Sequence, residues 1–404
     1  MGTTLTTIAD ILKTQYAPVV GEMINHATPI LDRIGKDYDS TQGKDFTIPL
    51  HYGRNEGIGA RAEGAALPAA GNQAYKASIV PMRYQYGRFQ LTGQTIKATR
   101  NNDGAFRKAI RSEMEGLGND MVDSLSRQLF GDGSGILATC ASASNATTVT
   151  VDSTAKLRVG MPVDILVTAT GATTAGVVGD TVASITSDTV FVLTTGVATY
   201  GSIGNTYSVY TSGSRNNEMM GLGGIVSATD PASGSLQGLA VATYPWWKAT
   251  VQGNSGTARA ISDTIIQKAL DSLVQNSNGK PTALYTSYGV KRAYQAVLTA
   301  TKQLVNTQEL AGGYKAITYN DLPIIADKNA PTGKIFVVDE SKLKFYRLSD
   351  NGGEDHGMFW LDEDGSMLKY VTNYDAYEAI LCLYSNLGTN ARNAFVRIDD
   401  ITEA

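Results

Sequence analysis

The sequence predicts a mixed α+β fold: a body of alternating helices and strands, one long helix, one long projecting hairpin and one inserted all-β module. Three observations carry this. Between positions 103 and 130 apolar residues recur every three or four positions, a one-sided stripe about 40 Å long at helical rise. Runs at 46–50 and 82–91 alternate apolar and polar residues on either side of a Gly- and Ala-rich stretch, the pattern of two half-buried strands. From Ala138 to Gly213 charge nearly vanishes, the only charged residues being Asp152, Lys156, Arg158, Asp164, Asp180 and Asp188.

Taken in order, residues 6–26 read as an amphipathic helix with Ile8, Ile11, Leu12, Tyr16, Val19, Val20 and Met23 near helical spacing and Pro18 as a kink. A short apolar set, Pro29, Ile30, Leu31 and Ile34, follows and ends at Gly35. This segment is expected to be an arm docked on the body of its own chain or on a neighbour. Residues 44–92 read as the hairpin, with Phe46, Ile48 and Leu50 outgoing and Met82, Tyr84, Tyr86, Phe89 and Leu91 returning. Its tip carries Arg54, Glu56, Arg61 and Glu63 among glycines and alanines, too little apolar surface for a core of its own. A structureless loop of that length in a folded chain is usually functional or partner-bound.

The long helix is capped by Asn102 or Asp103, and Phe106, Ile110, Met114, Leu117, Met121, Leu125 and Leu129 form its stripe. Gly116 and Gly118 mark either a close backbone approach or a flexure point. The helix ends in the turn sequence GDGSG at 131–135. Short alternating runs at 147–151, 161–167, 180–185, 189–193 and 207–210, separated by Gly, Ser and Asn, predict a small β-sandwich or barrel. The flanks GDGSGIL and GLGGIVSA read as two ends of one interrupted path. Beyond it, Ile261 to Val274 and Val290 to Leu298 form helical stripes, while 282–287, 322–327 and 334–339 are strand-like. A hairpin with its turn at Asp362–Gly365 and two final β-rich runs close the chain.

Composition limits what such a chain does. Charged residues make up 18% of the 404 residues, below the roughly 25% of ordinary soluble chains, and Gly reaches 42. A net charge of −4 and a pI near 5.5 argue against a large basic field for gripping nucleic acid. Cys140 and Cys382 suit reduced thiols better than a disulfide framework. The N-terminus lacks a basic, apolar export signal, and no run approaches the roughly 18 apolar residues of a membrane span, so a non-exported protein without membrane contact is expected.

No chemistry stands out. His26, His51 and His356 lie in different segments and no Cys/His spacing suggests zinc. GDGSG lacks the lysine of a phosphate loop, and GLGGIV at 221–226 lacks the dinucleotide spacing; both read as turns. No nucleophile elbow or reactive-cysteine signature occurs, and the acids at 362–364 are too few for a cation loop. No catalytic, metal or cofactor residue is assigned.

The order of elements, however, resembles that of the major capsid proteins of tailed double-stranded DNA bacteriophages, the Hong Kong 97-like capsid fold. The resemblance is carried by the hairpin 44–92, the helix 103–130 running into LFGDGSGIL, the segments 278–297 and 336–346, and the closing stretch 374–399. It implies an N-terminal arm (1–43), an extended loop (44–92), a peripheral domain with a spine helix (93–137), an inserted β domain (138–213), a mostly axial domain (214–345) and return strands of the peripheral domain (346–404). It further implies a non-enzymatic shell protein of the virion, assembled in the host bacterial cytoplasm, that forms pentameric and hexameric capsomers. Its implied partners are a scaffolding protein, a portal, decoration proteins and non-specifically contacted DNA. Assembly contacts are expected at Arg54, Glu56, Arg61 and Glu63 on the loop, and at Arg107, Arg111, Glu115 and Arg127 on the charged face of the spine helix.

Two departures from the family pattern shape these expectations. The arm is too short for a long cleaved scaffolding segment, so scaffolding is expected either from a separate protein or from the arm itself. The loop tip offers arginines rather than a lysine, so no covalent loop crosslink is expected. Two alternatives remain: an encapsulin-type nanocompartment shell, disfavoured by the β insertion, and a surface or adhesion protein, disfavoured by the missing export signal.

Overall fold

The computed structural model describes residues 30, 33–37, 44–94, 103–141, 147–173, 177–195, 203–231, 234–300, 307–309, 315–348, 357–361 and 368–404. The predicted helix at 6–26 and the turn at 362–365 lie outside the described residues. In chain order the strands are β1 (Gly35–Asp37), β2 (Asp45–Gly53), β3 (Ala74–Pro81) and β4 (Arg83–Thr92), followed by helix α1 (Asp103–Leu129). Next come β5 (Ile136–Thr139), β6 (Thr148–Thr150), β7 (Pro162–Val167), β8 (Val177–Ser187), β9 (Val190–Leu193) and β10 (Tyr207–Thr211). After β11 (Thr250–Gln252), helices α2 (Asp263–Asn276) and α3 (Tyr288–Ala300) flank β12 (Ala283–Thr286). The chain ends with β13 (Thr307–Glu309), β14 (Lys315–Tyr319), β15 (Leu322–Ala326), β16 (Ile335–Val338), β17 (Leu343–Arg347), β18 (Phe359–Trp360), β19 (Lys369–Tyr370), β20 (Ala376–Thr389) and β21 (Val396–Ile398).

Three sheets and one free hairpin follow. A seven-stranded sheet runs β11-β21-β16-β12-β15-β14-β13. Its strands alternate between two cores as the period of two demands. Ala283, Tyr285, Ile325, Phe336 and Val338 face the main core. Leu284, Ile324, Ile335 and Val337 face Ile266, Leu270, Leu273, Val290, Tyr294 and Leu298 of α2 and α3. Both faces are covered, which explains why 322–326 and 335–338 read as continuous apolar runs.

A six-stranded sheet is organised by the 14-residue β20. One edge of β20 pairs with β4, from Ala376↔Thr92 to Ser385↔Arg83. The other edge takes β17, β18 and β19 in succession, with β1 parallel to β17. Helix α1 lies across this sheet: Met114 is buried with Phe89 and Leu91, and Met121, Leu125 and Leu129 join the main core with Leu381 and Leu383. The stripe from Met114 onward is thus the buried face, as its spacing predicts. No backbone approaches Gly116, beside which there is open space, and the helix continues through it.

Four expectations need correction. The return strand of the hairpin is β3, which pairs with β2 from Asp45↔Pro81 to Gly53↔Ala74, whereas residues 83–92 leave the hairpin for β20. Both runs alternate, and β20 offers the longer apolar partner. The strands on either side of the turn expected at 362–365, β18 and β19, do not form the expected pair with each other but each pair with β20. The closing runs part company: β20 stays in the six-stranded sheet and β21 enters the seven-stranded one beside β11 and β16, so residues 346–404 do not all return to one sheet. The inserted module begins earlier than its composition suggests, with β5 already paired to β10.

That module is a closed barrel. Its strands follow the order β5-β10-β7-β8-β9-β6, and a bridge Cys140↔Val151 joins first to last. The Ala141 amide donates to the Thr150 carbonyl, and the Asp152 amide to the Thr139 carbonyl, each at 2.9 Å. Closure removes the open edges. Val149, Val163, Ile165, Val182, Phe191 and Val209 fill a core separate from the others. The module leaves and rejoins the body at a narrow neck. Gly135 has φ +80°, and a Cβ there would lie 2.8 Å from the Ser214 carbonyl oxygen. Asp132 and Met220 bridge in antiparallel fashion just below, so the two flanks are one interrupted path. Joining Gly135 to Ser214 through two or three glycines is therefore expected to leave the body folded, with circular dichroism retaining its helix signal. Loss of the cooperative melt would show the barrel to be integral to it.

Candidate assembly surface

The hairpin is anchored at its base and unsupported at its tip. Ile48, Leu50 and Val80 are buried in the main core. The Ile79 amide donates to the Gln237 carbonyl at 2.9 Å, and the Tyr52 ring stacks on Trp246 with centroids 4.7 Å apart and planes 5° off parallel. The Lys76 ammonium sits 5.4 Å from the centre of the Tyr244 ring. Beyond Gly53 and Ala74 the chain packs only on itself. Asn55 donates to the Gly71 carbonyl at 2.8 Å and accepts from the Gly57 amide at 2.7 Å, which gives the tip a defined path. Ile58 and Leu67 remain 77% and 86% exposed.

The four charged tip residues are all exposed, but they do not act as one group. Arg54 and Glu56 pair with each other at 3.3 Å. Arg61 donates to the Ala66 carbonyl at 3.1 Å across the turn of Ala62 to Ala65. Glu63 has no partner among the described residues.

On the spine helix, the side chains of Arg107 and Arg111 lie outside the described residues, and Glu115 is half-buried. Arg127 departs from expectation. It forms a two-pronged pair with Glu218 at 2.9 and 2.5 Å, with side-chain exposures of 15% and 8%. Its charge is spent inside the chain, bracing α1 against the strand path that leaves the barrel. A neighbouring carboxylate, Asp123, receives both Arg158 of the barrel and Lys328 just beyond β15 of the seven-stranded sheet. One side chain thus joins helix, barrel and seven-stranded sheet.

Burial alone would raise the Asp123 pKa, but the Lys328 ammonium and the Arg158 guanidinium outweigh it and hold the group below its usual value. A depressed carboxylate pKa stabilises the fold above the unfolded value and ceases to do so as pH falls through the folded one. Asp123→Asn is expected to lower stability by about 1 kcal/mol at neutral pH, the exposure of both cations limiting the effect. The difference from the unmodified chain should vanish in acid, as thermal melts across pH will show.

Sequence reasoning missed the buried polar anchors. Arg392 is fully buried and donates to the carbonyls of Ile225, Gly224 and Thr229 at 2.9, 3.2 and 2.6 Å. Burial pushes its pKa down to about 10 despite Asp230. Arg33, at the end of the arm, clasps Glu340 at 2.6 and 2.8 Å, and Tyr285 donates to the same carboxylate at 2.5 Å. Together with buried Ile30 and Ile34, this docks residues 30 and 33–37 on the body of their own chain. The GLGG stretch is a crossing: a Cβ at Gly221 would meet the Gln128 carbonyl oxygen at 2.2 Å, so only glycine lets this strand path pass the end of α1.

Among the described residues no group of three or more His, Cys, Asp or Glu could hold a metal ion, and no helix is long and apolar enough to cross a membrane. Both cysteines are buried and free; burial and then Asp152 push the Cys140 thiol up to about 12.

Comparison with known proteins gives this architecture a context. The SU10 major capsid protein family matches residues 198–358. No curated protein sequence matches the chain. Among solved structures, a chain of the cyanophage A-1(L) capsid is similar, with a TM-score of 0.58 at 13% identity, 93% of each chain being covered. An encapsulin of Synechococcus elongatus is more distant, with a TM-score of 0.48 at 10% identity over 93% of this chain and 88% of that one. A chain of Mycobacterium phage Bobi aligns at 9% identity with a TM-score of 0.44, all of each chain being covered. Residues 198–358 thus match the SU10 major capsid protein family, and the chain has the fold of a phage capsid protein over nearly its whole length.

Proposed function

We propose that the chain assembles into pentamers and hexamers of an icosahedral shell that encloses a double-stranded DNA genome, and that it does so without catalysing any reaction. The observation that carries this is the hairpin tip. Residues 54–73 leave the body, hold a defined path and expose Ile58 and Leu67, an arrangement completed by the surface of a neighbour. In this reading 44–92 is the extended loop, α1 and the six-stranded sheet form the peripheral domain, the seven-stranded sheet with α2 and α3 forms most of the axial domain, and the barrel is an outward decoration. Residues 54, 56, 61 and 63 contribute loop contacts, with Arg107, Arg111 and Glu115 on the spine helix. A separate scaffolding protein, a portal and decoration proteins complete the particle, in the cytoplasm of a bacterial host. The low net charge of −4 fits sparse, non-specific contact with packaged DNA.

Weak individual interfaces suit such assembly, since many simultaneous contacts supply the stability of the whole. Sedimentation of the purified chain, alone and with its scaffold, tests the proposal. Capsomers or shells are expected; a chain that stays monomeric at high concentration with scaffold present contradicts it.

A further inference from the structure

Arginines that lose water in this chain gain oxygen partners in return. Arg33 has Glu340, Arg127 has Glu218 and Arg397 has Asp399, while Arg215 and Arg259 donate to carbonyls. Arg83 has no such partner among the described residues. It lies half-buried in a cleft of about 710 Å3 between β4, α1 and residues 211–218. Its strand neighbours Gln85 and Gly87 meet Gln128 and Leu117 of α1, so this face of β4 looks toward the helix. No acceptor among the described residues takes a hydrogen bond from its guanidinium, and burial lowers its pKa with nothing opposing the shift. The acids of the cleft are already engaged: Glu218 with Arg127, and Asp120 with Arg158 at 3.7 Å. The cleft therefore presents one uncompensated cation.

The hairpin tip presents the complement. Glu56 is held by Arg54, which leaves Glu63 as the tip carboxylate without a partner among the described residues, flanked by exposed Ile58 and Leu67. The tip cannot reach the cleft of its own chain. The eight residues of β3 carry it roughly 25 Å from Pro81 at strand rise, and Arg83 lies just beyond Pro81. An acid from a second copy has no such constraint.

We propose that the cleft receives the hairpin tip of a second copy, with the Glu63 carboxylate pairing with the Arg83 guanidinium. This rests on the capsid reading and deepens it by naming the contact between subunits. A partly desolvated pair of this kind fixes register, while the apolar flanks supply contact area.

The test is a charge-reversal cycle read by sedimentation velocity and electron microscopy on the full-length chain. Glu63→Arg and Arg83→Glu are each expected to weaken self-association by about tenfold or more, and the double reversal to return it to within about threefold of the unmodified chain. Glu63 sits on the exposed tip, so its variant reports on the contact without disturbing the fold. Unchanged self-association of Glu63→Arg overturns the proposal whatever the Arg83 variant does. Shells from the unmodified chain with no rescue by the double reversal remove the pair and leave the capsid reading intact. Rescue in assemblies that are not closed shells keeps the pair and removes that reading, and a chain that never self-associates removes both.

Discussion

A chain in which residues 54–72 are replaced by a short Gly-Ser turn is expected to fold normally and to form no shells. The base of the hairpin stays anchored in this variant: Ile48, Leu50 and Val80 remain in the main core, and Tyr52 still stacks on Trp246. The excised segment makes no contribution to any of the buried clusters, its Ile58 and Leu67 being exposed. Its removal should leave the melting temperature within about 2 °C of the original, the shift expected for no more than about 2 kcal/mol in a chain of this size. Assembly loses everything the tip supplies. Electron micrographs should show no closed particles at concentrations where the unmodified chain gives them, and sedimentation should show a monomer or small oligomers. Normal shells from this variant would refute the role given to the tip.

The second large effect concerns stability. Arg392→Met is expected to cost about 3–5 kcal/mol, the range for breaking a buried polar cluster by removing one partner. The guanidinium is fully buried and satisfies three carbonyls of the stretch 224–229, with Asp230 3.6 Å away. Methionine fills much of the space but leaves those carbonyls without their donor and Asp230 without its nearby cation. Arg392→Lys should recover little, because one ammonium cannot copy a planar fork that reaches several acceptors. A fall in melting temperature and in soluble yield checks this. A variant that melts like the parent would show that the carbonyls find water instead.

These two sites also show how far the sequence could be read. The spine helix was legible because its apolar residues form one stripe on an otherwise polar stretch, and the structure buries Met114, Met121, Leu125 and Leu129 along it. The barrel was legible from lost charge and regular turns. Strand partners were not. A period of two tells which face is buried but not which edge is paired, and the run 83–92 alternates as well as 74–81 does. The long β20, apolar from Ile380 to Leu383, settled the choice by pairing with β4. The charged tip was legible as exposed, yet Asn55, which shapes it through Gly57 and Gly71, carried no signal beyond being a turn former. Arg127 and Arg392 illustrate the remaining gap. In sequence an arginine on a polar helix face or in a GTNARN turn reads as solvated, and only the approach of Glu218, or of three carbonyls from a segment far away in sequence, turns it inward.

The central claim is that this chain builds a closed shell in which the hairpin of one copy completes the surface of the next. Electron cryomicroscopy of particles formed by the expressed chain, with scaffold supplied, tests it most directly. The account predicts closed icosahedral shells in which density for residues 54–73 lies on a neighbouring subunit. Particles whose hairpins fold back on their own chain or stand free of any neighbour would contradict it.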